Sequence, residues 1–128
     1  MNKNLIKFLI TIRNSSLAKK SFVRVKNLEV LCDYVKVLYR QGLIQSYSIE
    51  IEYGVEYLVI FLRNFQNKIV TENLKLLSKP SKVKILSYDD LTRLNLKNKT
   101  FILSTSEGIV SHNDCLKYKL GGIAIFSC

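Results

Sequence analysis

Leu5, Phe8, Leu9 and Ile12 recur at the i, i+3, i+4, i+7 interval that lines one face of a helix, with Asn2 or Asn4 placed to cap its start. A second stripe, Leu31, Tyr34, Val35, Leu38 and Tyr39, follows Asn27 as candidate cap and stops at Gly42, a residue suited to a helix end. Between these helices, residues 22–26 alternate and predict a short strand. Tyr47, Ile49, Ile51 and Tyr53 then alternate with Ser48, Glu50 and Glu52, and a turn through Gly54 leads into the β-rich run 55–63. That pattern predicts a hairpin with one buried face. The first half thus reads helix, strand, helix, strand, strand.

The second half is built from shorter pieces. In Ser78-Lys79-Pro80-Ser81 the proline fixes its own φ and biases Lys79 away from helix, which predicts a turn leading into a strand over 82–86. A short helix is predicted over 88–94, a strand over 100–104, a turn near Gly108 and a strand over 109–111. Residues 112–120 predict a last helix, capped by Ser111 and ended by Gly121-Gly122, before a terminal strand over 123–126. No internal repeat or low-complexity tract interrupts these elements. The expected fold is α+β in two small modules: an N-terminal α-β-α-β-β module over 1–64 and a mostly β C-terminal module with short helices over 65–128.

Charge changes the picture from a fold to a partner. The formal net charge is +10, and each of the two halves carries ten Lys/Arg against five Asp/Glu, so neither is a basic tail on a neutral domain. Residues 1–28 hold Lys3, Lys7, Arg13, Lys19, Lys20, Arg24 and Lys26 with no acid, and 74–86 hold Lys75, Lys79, Lys82 and Lys84 with none. Most charge runs are simply solvated faces. Two acid-free runs beside so large an excess favour phosphate binding over plain solubility, and lysines neutralising phosphates give salt-sensitive affinity without sequence choice.

Chemistry of other kinds finds little support. His112 is the only histidine, and Cys32, Cys115 and Cys128 lie far apart, so neither a metal site nor a disulfide framework is indicated and a reducing compartment is the simpler reading. His112 is expected as a solvated helix-start residue or one touching RNA phosphate. Asp89-Asp90 fit a helix start, and Glu50 with Glu52 fit the wet face of a strand. Gly121-Gly122 lacks the Lys-Ser/Thr and the following helix of a phosphate loop. The apolar stretches fall far short of the roughly twenty residues a membrane span needs, and no removable targeting peptide is evident. No cofactor, small-molecule substrate or catalysed reaction is expected. The alternative from another class is a small thiol or hydrolytic enzyme using Cys115, His112 and Asp114, which needs a pocket and a thiol pKa below about 8.5.

Ser104-Thr105-Ser106-Glu107-Gly108 offers three consecutive hydroxyls and a glycine at a strand end. Hydroxyls donate and accept, which suits ribose 2′-OH groups and base edges in the shallow minor groove of RNA; glycine lets backbone come close. Continued through Ile109-Val110-Ser111 and Leu120-Gly121-Gly122, this segment resembles the C-terminal signature of the bacterial-type ribosomal protein S8 family. Leu9-x-Thr11-Ile12-Arg13-Asn14 is similar to that family's first-helix signature, and Leu77-Ser78-Lys79-Pro80 with Val83-x-Ile85 is similar to its central segment. The three matches fall in family order over essentially the whole chain.

The resemblance implies a two-domain α+β component of the small ribosomal subunit that binds 16S-type rRNA directly and supports assembly and translation beside neighbouring small-subunit proteins. It implies that the C-terminal module grips an internal loop of a central-domain helix while the N-terminal module braces another. The implied RNA-binding residues are Ser104, Thr105, Ser106 and Gly108, the pair Gly121 and Gly122, and Arg13, Asn14, Lys79 and Pro80; the charge pattern adds Lys82 and Lys84. Four features depart from the family: Glu107 replaces a usually basic residue, Leu86 a tyrosine and Ile123 a glutamate, and the acids usual in the first helix are absent before Arg13. Such divergence, with a composition fitting an AT-rich genome, points to an organellar ribosome, mitochondrial first and plastid or bacterial cytoplasm as alternatives. A free repressor that binds mRNA by mimicking the rRNA site fits the same residues.

Overall fold

The structure, a computed structural model, describes residues 3–94 and 99–128. It forms two compact units, the first spanning Asn4–Leu74 and the second running from Lys75 to the C-terminus. The architecture is α+β, as expected.

In the first unit, α1 (Lys3–Leu17) is followed by β1 (Phe22–Lys26), α2 (Glu29–Arg40), β2 (Ile44–Glu52) and β3 (Val55–Leu62). The three strands form an antiparallel sheet in the order β1-β3-β2. The helical stripes bury as the spacing demands: Leu5, Phe8, Leu9 and Ile12 from α1, and Leu31, Tyr34, Val35, Val37 and Leu38 from α2. They share a core with Val23, Leu58 and Ile60 of the sheet.

Several local expectations are corrected here. Asn4 lies inside α1 and so is no cap, while Asn2 lies outside the described residues. Asn27 does not cap α2 either: its amide donates to the Glu56 carboxylate at 2.9 Å, and the helix starts one residue later from Leu28 without a side-chain cap. Tyr39 is half exposed and meets Tyr47 edge to face, with ring centroids 5.7 Å apart. The larger difference concerns the hairpin. Leu58 and Ile60 of β3 are buried, but on β2 the expected apolar face is open, with Ile49, Ile51 and Tyr53 exposed by 54%, 71% and 97%. Strand periodicity set the face; nothing in the first unit reaches far enough along the hairpin to cover it.

Below β3, the two-residue strands β4 (Asn64–Phe65) and β5 (Lys68–Ile69) pair through Gln66 and Asn67, both with positive φ, and a short 3-10 turn (Val70–Asn73) follows. These pieces belong to the first unit, so the division falls after Leu74 and not after residue 64. The physical reason is a tether: the buried hydroxyls of Ser16 and Thr71 lie 2.5 Å apart, and Val70 N–H donates to the Arg63 carbonyl at 2.9 Å.

The second unit contains β6 (Lys75–Leu76), β7 (Lys84–Leu86), α3 (Tyr88–Arg93), β8 (Phe101–Thr105), β9 (Gly108–Ser111), α4 (His112–Tyr118) and β10 (Gly122–Ser127). β10 is the hub: β8 pairs along one side, β6 and β7 take the other, and β9 completes the sheet beyond β8. Leu86, Leu91, Leu103, Cys115 and Ala124 form the core, with Leu77, Val110 and Leu120 packed against it. The α3 start is a capping box, in which Ser87 Oγ accepts from Asp90 N–H and the Asp90 carboxylate accepts from Ser87 N–H. Those bonds hold the Asp90 carboxyl below the ordinary carboxylate range. α4 ends at Lys119, which takes the left-handed conformation itself at φ 56°, so the glycine pair is not the helix stop.

Candidate nucleic-acid interface

The turn between β8 and β9 is shaped by its own side chains. Thr105 Oγ1 donates to the Gly108 carbonyl at 2.9 Å and accepts from Glu107 N–H at 3.1 Å, so this hydroxyl is largely spent within the turn. Gly108 sits at φ +105°, a conformation a side chain would strain. The consequence is a division among the three hydroxyls: Thr105 builds the turn, while Ser106 is exposed and Ser104 partly so, with no side-chain hydrogen bond to either among the described residues. Glu107 is exposed at the tip.

Gly121 and Gly122 explain how other elements reach this turn. A Cβ on Gly122 would lie 2.4 Å from the Ser104 carbonyl and 2.9 Å from Thr105 Cγ2; one on Gly121 would lie 2.8 Å from the Leu86 carbonyl. The pair therefore lets the start of β10 pass between the ends of β7 and β8. In register, Ile123 opposes Ile85 on one side and Ser104 on the other, and Ser104 opposes Ile109. Directly opposed residues share a sheet face, so Ile85, Ile123, Ser104 and Ile109 form one row facing away from the Leu103–Ala124 core face. Ile85 is 71% exposed, and two strand spacings, about 10 Å, separate β7 from β8.

β7 brings the lysines. Lys79 N–H donates to the Lys82 carbonyl at 2.9 Å and Lys82 N–H returns the bond at 3.1 Å, closing a turn around Pro80-Ser81 in which all four residues are exposed. The strand proper starts at Lys84 rather than at 82, because those bonds hold 79–82 as a turn. Ser78 locks the turn to the sheet: its fully buried hydroxyl donates to the Ala124 carbonyl and accepts from Lys84 N–H at 2.9 Å. Sequence reasoning treated Ser78 only as part of a motif; the one signal for its latch role was a serine placed just before Lys-Pro. The ion pairs found among the described residues involve Arg24, and Lys79, Lys82 and Lys84 form none there.

The sheet thus gathers Ser104, Thr105, Ser106, Gly108, Gly121, Gly122, Lys79, Pro80, Lys82 and Lys84 into one unit. Arg13 and Asn14 belong to the other, near the end of α1, where Arg13 is half-buried and Asn14 exposed. In that unit an open groove of about 370 Å³ between α1 and the end of β1 is lined by Lys7, Lys26, Asn4 and Thr11. Arg24, part of the acid-free run in sequence, is not acid-free in space: it stacks 3.9 Å over the Tyr57 ring and pairs with Glu50 and Glu52 across the sheet.

His112 is corrected to a structural role, and Cys115 is structural as expected, though fully rather than half buried. His112 is neither solvated nor placed to touch phosphate; it is 7% exposed, and its Nδ1 accepts from Phe101 N–H at 3.0 Å. Burial pushes its pKa down. Cys115 is fully buried in the core, where burial and then the nearby Asp114 push its thiol up, the opposite of what a nucleophile needs. Leu86, at the position of the family's usual tyrosine, is buried too, and contributes to packing and not to stacking on a base.

Comparison with known proteins matches nearly the full length of the chain. The family model described as ribosomal protein S8 matches residues 4–128. The chain is similar to small ribosomal subunit protein uS8c of Lactuca sativa, 32% identical over 127 residues covering 95% of both chains. It is likewise similar to uS8 of Hydrogenovibrio crunogenus, 31% identical with 95% of this chain and 93% of the relative covered, and to uS8 of a Wolbachia strain at 30%. The hydroxyl turn, the glycine pair and the lysine turn therefore lie within the matched stretch, and the chain belongs to the ribosomal protein S8 family of the small ribosomal subunit.

Proposed function

We propose that this protein is a structural rRNA-binding component of the small ribosomal subunit that contacts its RNA directly and supports subunit assembly. The observation that carries the reading is the single sheet β7-β10-β8-β9, which carries an exposed hydroxyl turn past the Gly122 end of β10 and, across β10, a lysine turn that forms no ion pair among the described residues. Lysines supply affinity by releasing counterions from phosphates. Ser106 and Ser104 supply register through 2′-OH groups and base edges. Thr105, Gly108, Gly121 and Gly122 hold that turn in shape. Arg13 and Asn14 brace a second RNA helix from the first unit, with the Lys7–Lys26 groove alongside. The compartment is an organelle, the mitochondrion first, on the AT-rich composition; the chloroplast-type and bacterial relatives fit a plastid or bacterial ribosome equally, and organelle fractionation separates the three.

Equilibrium binding of the full chain to a small-subunit rRNA helix and to a scrambled helix, across a salt series, tests the division of labour. Lys79→Ala with Lys82→Ala should lower the slope of log K against log salt by about two. Ser106→Ala should leave the slope alone yet weaken cognate binding about fivefold, the worth of one hydrogen bond. Equal affinity for cognate and scrambled helices contradicts the reading.

A further inference from the structure

Residues 41–62 form a run of 22 without a single Lys or Arg, in a chain with 20 such residues among 128. That run is the β2–β3 hairpin, and it holds Glu50, Glu52 and Glu56. Arg24 offsets part of this charge from β1, and no other cation pairs with it among the described residues. Its tip is a tight turn in which Tyr53 and Gly54 both take positive φ, the geometry that matches the twist of the paired strands.

Three properties coincide there. First, Ile49 and Ile51 lie on the same face of β2 as the buried residues of the sheet, since they follow Tyr47 at strand alternation and Ile49 opposes buried Leu58, yet they stand open to solvent. Second, β2 is an edge: it pairs only with β3, so one side of a nine-residue strand has unpaired backbone groups among the described residues. Third, this edge has no lysine and no proline; its charges are Glu50 and Glu52, its bulge lies back at Ile44–Ser46, and Ile49 and Ile51 beyond it are exposed. An edge with open backbone groups and exposed isoleucines is a template on which another strand can add.

We propose that the β2 edge, with Ile49, Ile51 and Tyr53, is a docking surface for an extended, cationic segment of another small-subunit protein, added to the sheet as a further strand. Backbone pairing supplies affinity, and the two isoleucines receive alternate apolar side chains of the incoming strand. Glu50, Glu52 and Glu56 select a basic partner and reject nucleic acid, whose phosphates they repel. A second copy of this chain is disfavoured, because it would bring two cation-free acidic hairpins together. This inference rests on the reading of the chain as a small-subunit protein, and goes beyond it in naming a surface that meets protein where the C-terminal sheet meets RNA.

Hydrogen exchange of the full chain in three states, free, bound to a naked small-subunit rRNA helix, and assembled in small subunits, tests it. The edge amides of Ile44–Glu52 should exchange equally fast in the first two states and at least tenfold more slowly in the third. A photo-crosslinking residue at position 51, exposed and so harmless to folding, should in assembled subunits yield an adduct to a Lys/Arg-rich peptide of a different protein. Protection by naked rRNA, a cross-link to rRNA or to a second copy, or fast exchange persisting in the subunit each overturns the inference. A chain that fails to enter small subunits at all overturns the underlying reading instead.

Discussion

Two antiparallel hairpins of the molecule, β8–β9 and β2–β3, use the same backbone chemistry for opposite ends. The β8–β9 hairpin is short, its turn is bonded through Thr105 and opened by Gly108, and it lies one strand from β10, whose other side carries the lysine turn. The β2–β3 hairpin is long and cation-free, with isoleucines bare on one face and glutamates beside them. A net charge of +10 therefore says little about any one surface. What distinguishes the two surfaces is where charge is left unpaired: among the described residues Lys79, Lys82 and Lys84 form no ion pair, while Arg24 pairs with Glu50 and Glu52.

The contrast predicts unequal sensitivity to change. Gly122→Ala is expected to do the most damage, since its Cβ would press on the Ser104 carbonyl from 2.4 Å and backbone must shift. Overpacking of that kind costs on the order of 1–3 kcal/mol. Denaturant melts should show that loss, and RNA binding should fall with it because the β8 end moves. Ser78→Ala comes next: it leaves the Ala124 carbonyl and Lys84 N–H without their shared partner, at about 1–2 kcal/mol. Its signature is a salt slope that flattens although every lysine remains.

Acidification separates the units more gently. Burial depresses the His112 pKa in the folded state, so the unfolded chain, near the ordinary value of about 6.5, binds the proton first. Stability from this group is present above that pH and is lost as pH falls through it toward the folded value. The only histidine lies in the second unit, so between about pH 7 and 5 amide exchange should quicken in β8 and α4 before carboxylates titrate, and His112→Gln should flatten that response. Smallest of all, Ile51→Thr should change stability within about 0.5 kcal/mol, as an exposed surface substitution, and leave affinity for naked rRNA unaltered. A loss of RNA affinity in Ile51→Thr would erase the distinction between the two hairpins.

Helical periodicity was the most legible part of the sequence. Leu5, Phe8, Leu9, Ile12 and the Leu31–Leu38 stripe bury as their spacing requires, because a helix packs whole faces and four or five matches define one. Strand alternation named the face of β2 correctly and its burial wrongly, since period two says which residues share a side and nothing about whether a neighbour reaches that side. Caps were readable only in part: Ser111 caps as expected and Ser87 caps although the sequence reading did not name it, but Asn27 is drawn off by Glu56, a contact 29 residues away. The unit boundary escaped for the same reason, as the Ser16–Thr71 bond joins residues 55 apart. In the candidate site, residue types and order were visible in the motif. The partition of its hydroxyls, the Ser78 latch and the clearance at Gly122 needed coordinates, because each depends on atoms brought together across strands.

Amide chemical shifts of the full chain, followed while a small-subunit rRNA helix is titrated in, test the central claim most directly. The account predicts large, saturable shifts at Ser104, Ser106, Glu107 and Gly108 and through the Lys79–Lys82 turn, with Ile49, Ile51 and Tyr53 unmoved. Shifts concentrated on the β2–β3 hairpin, with the β8–β9 turn silent, would contradict it.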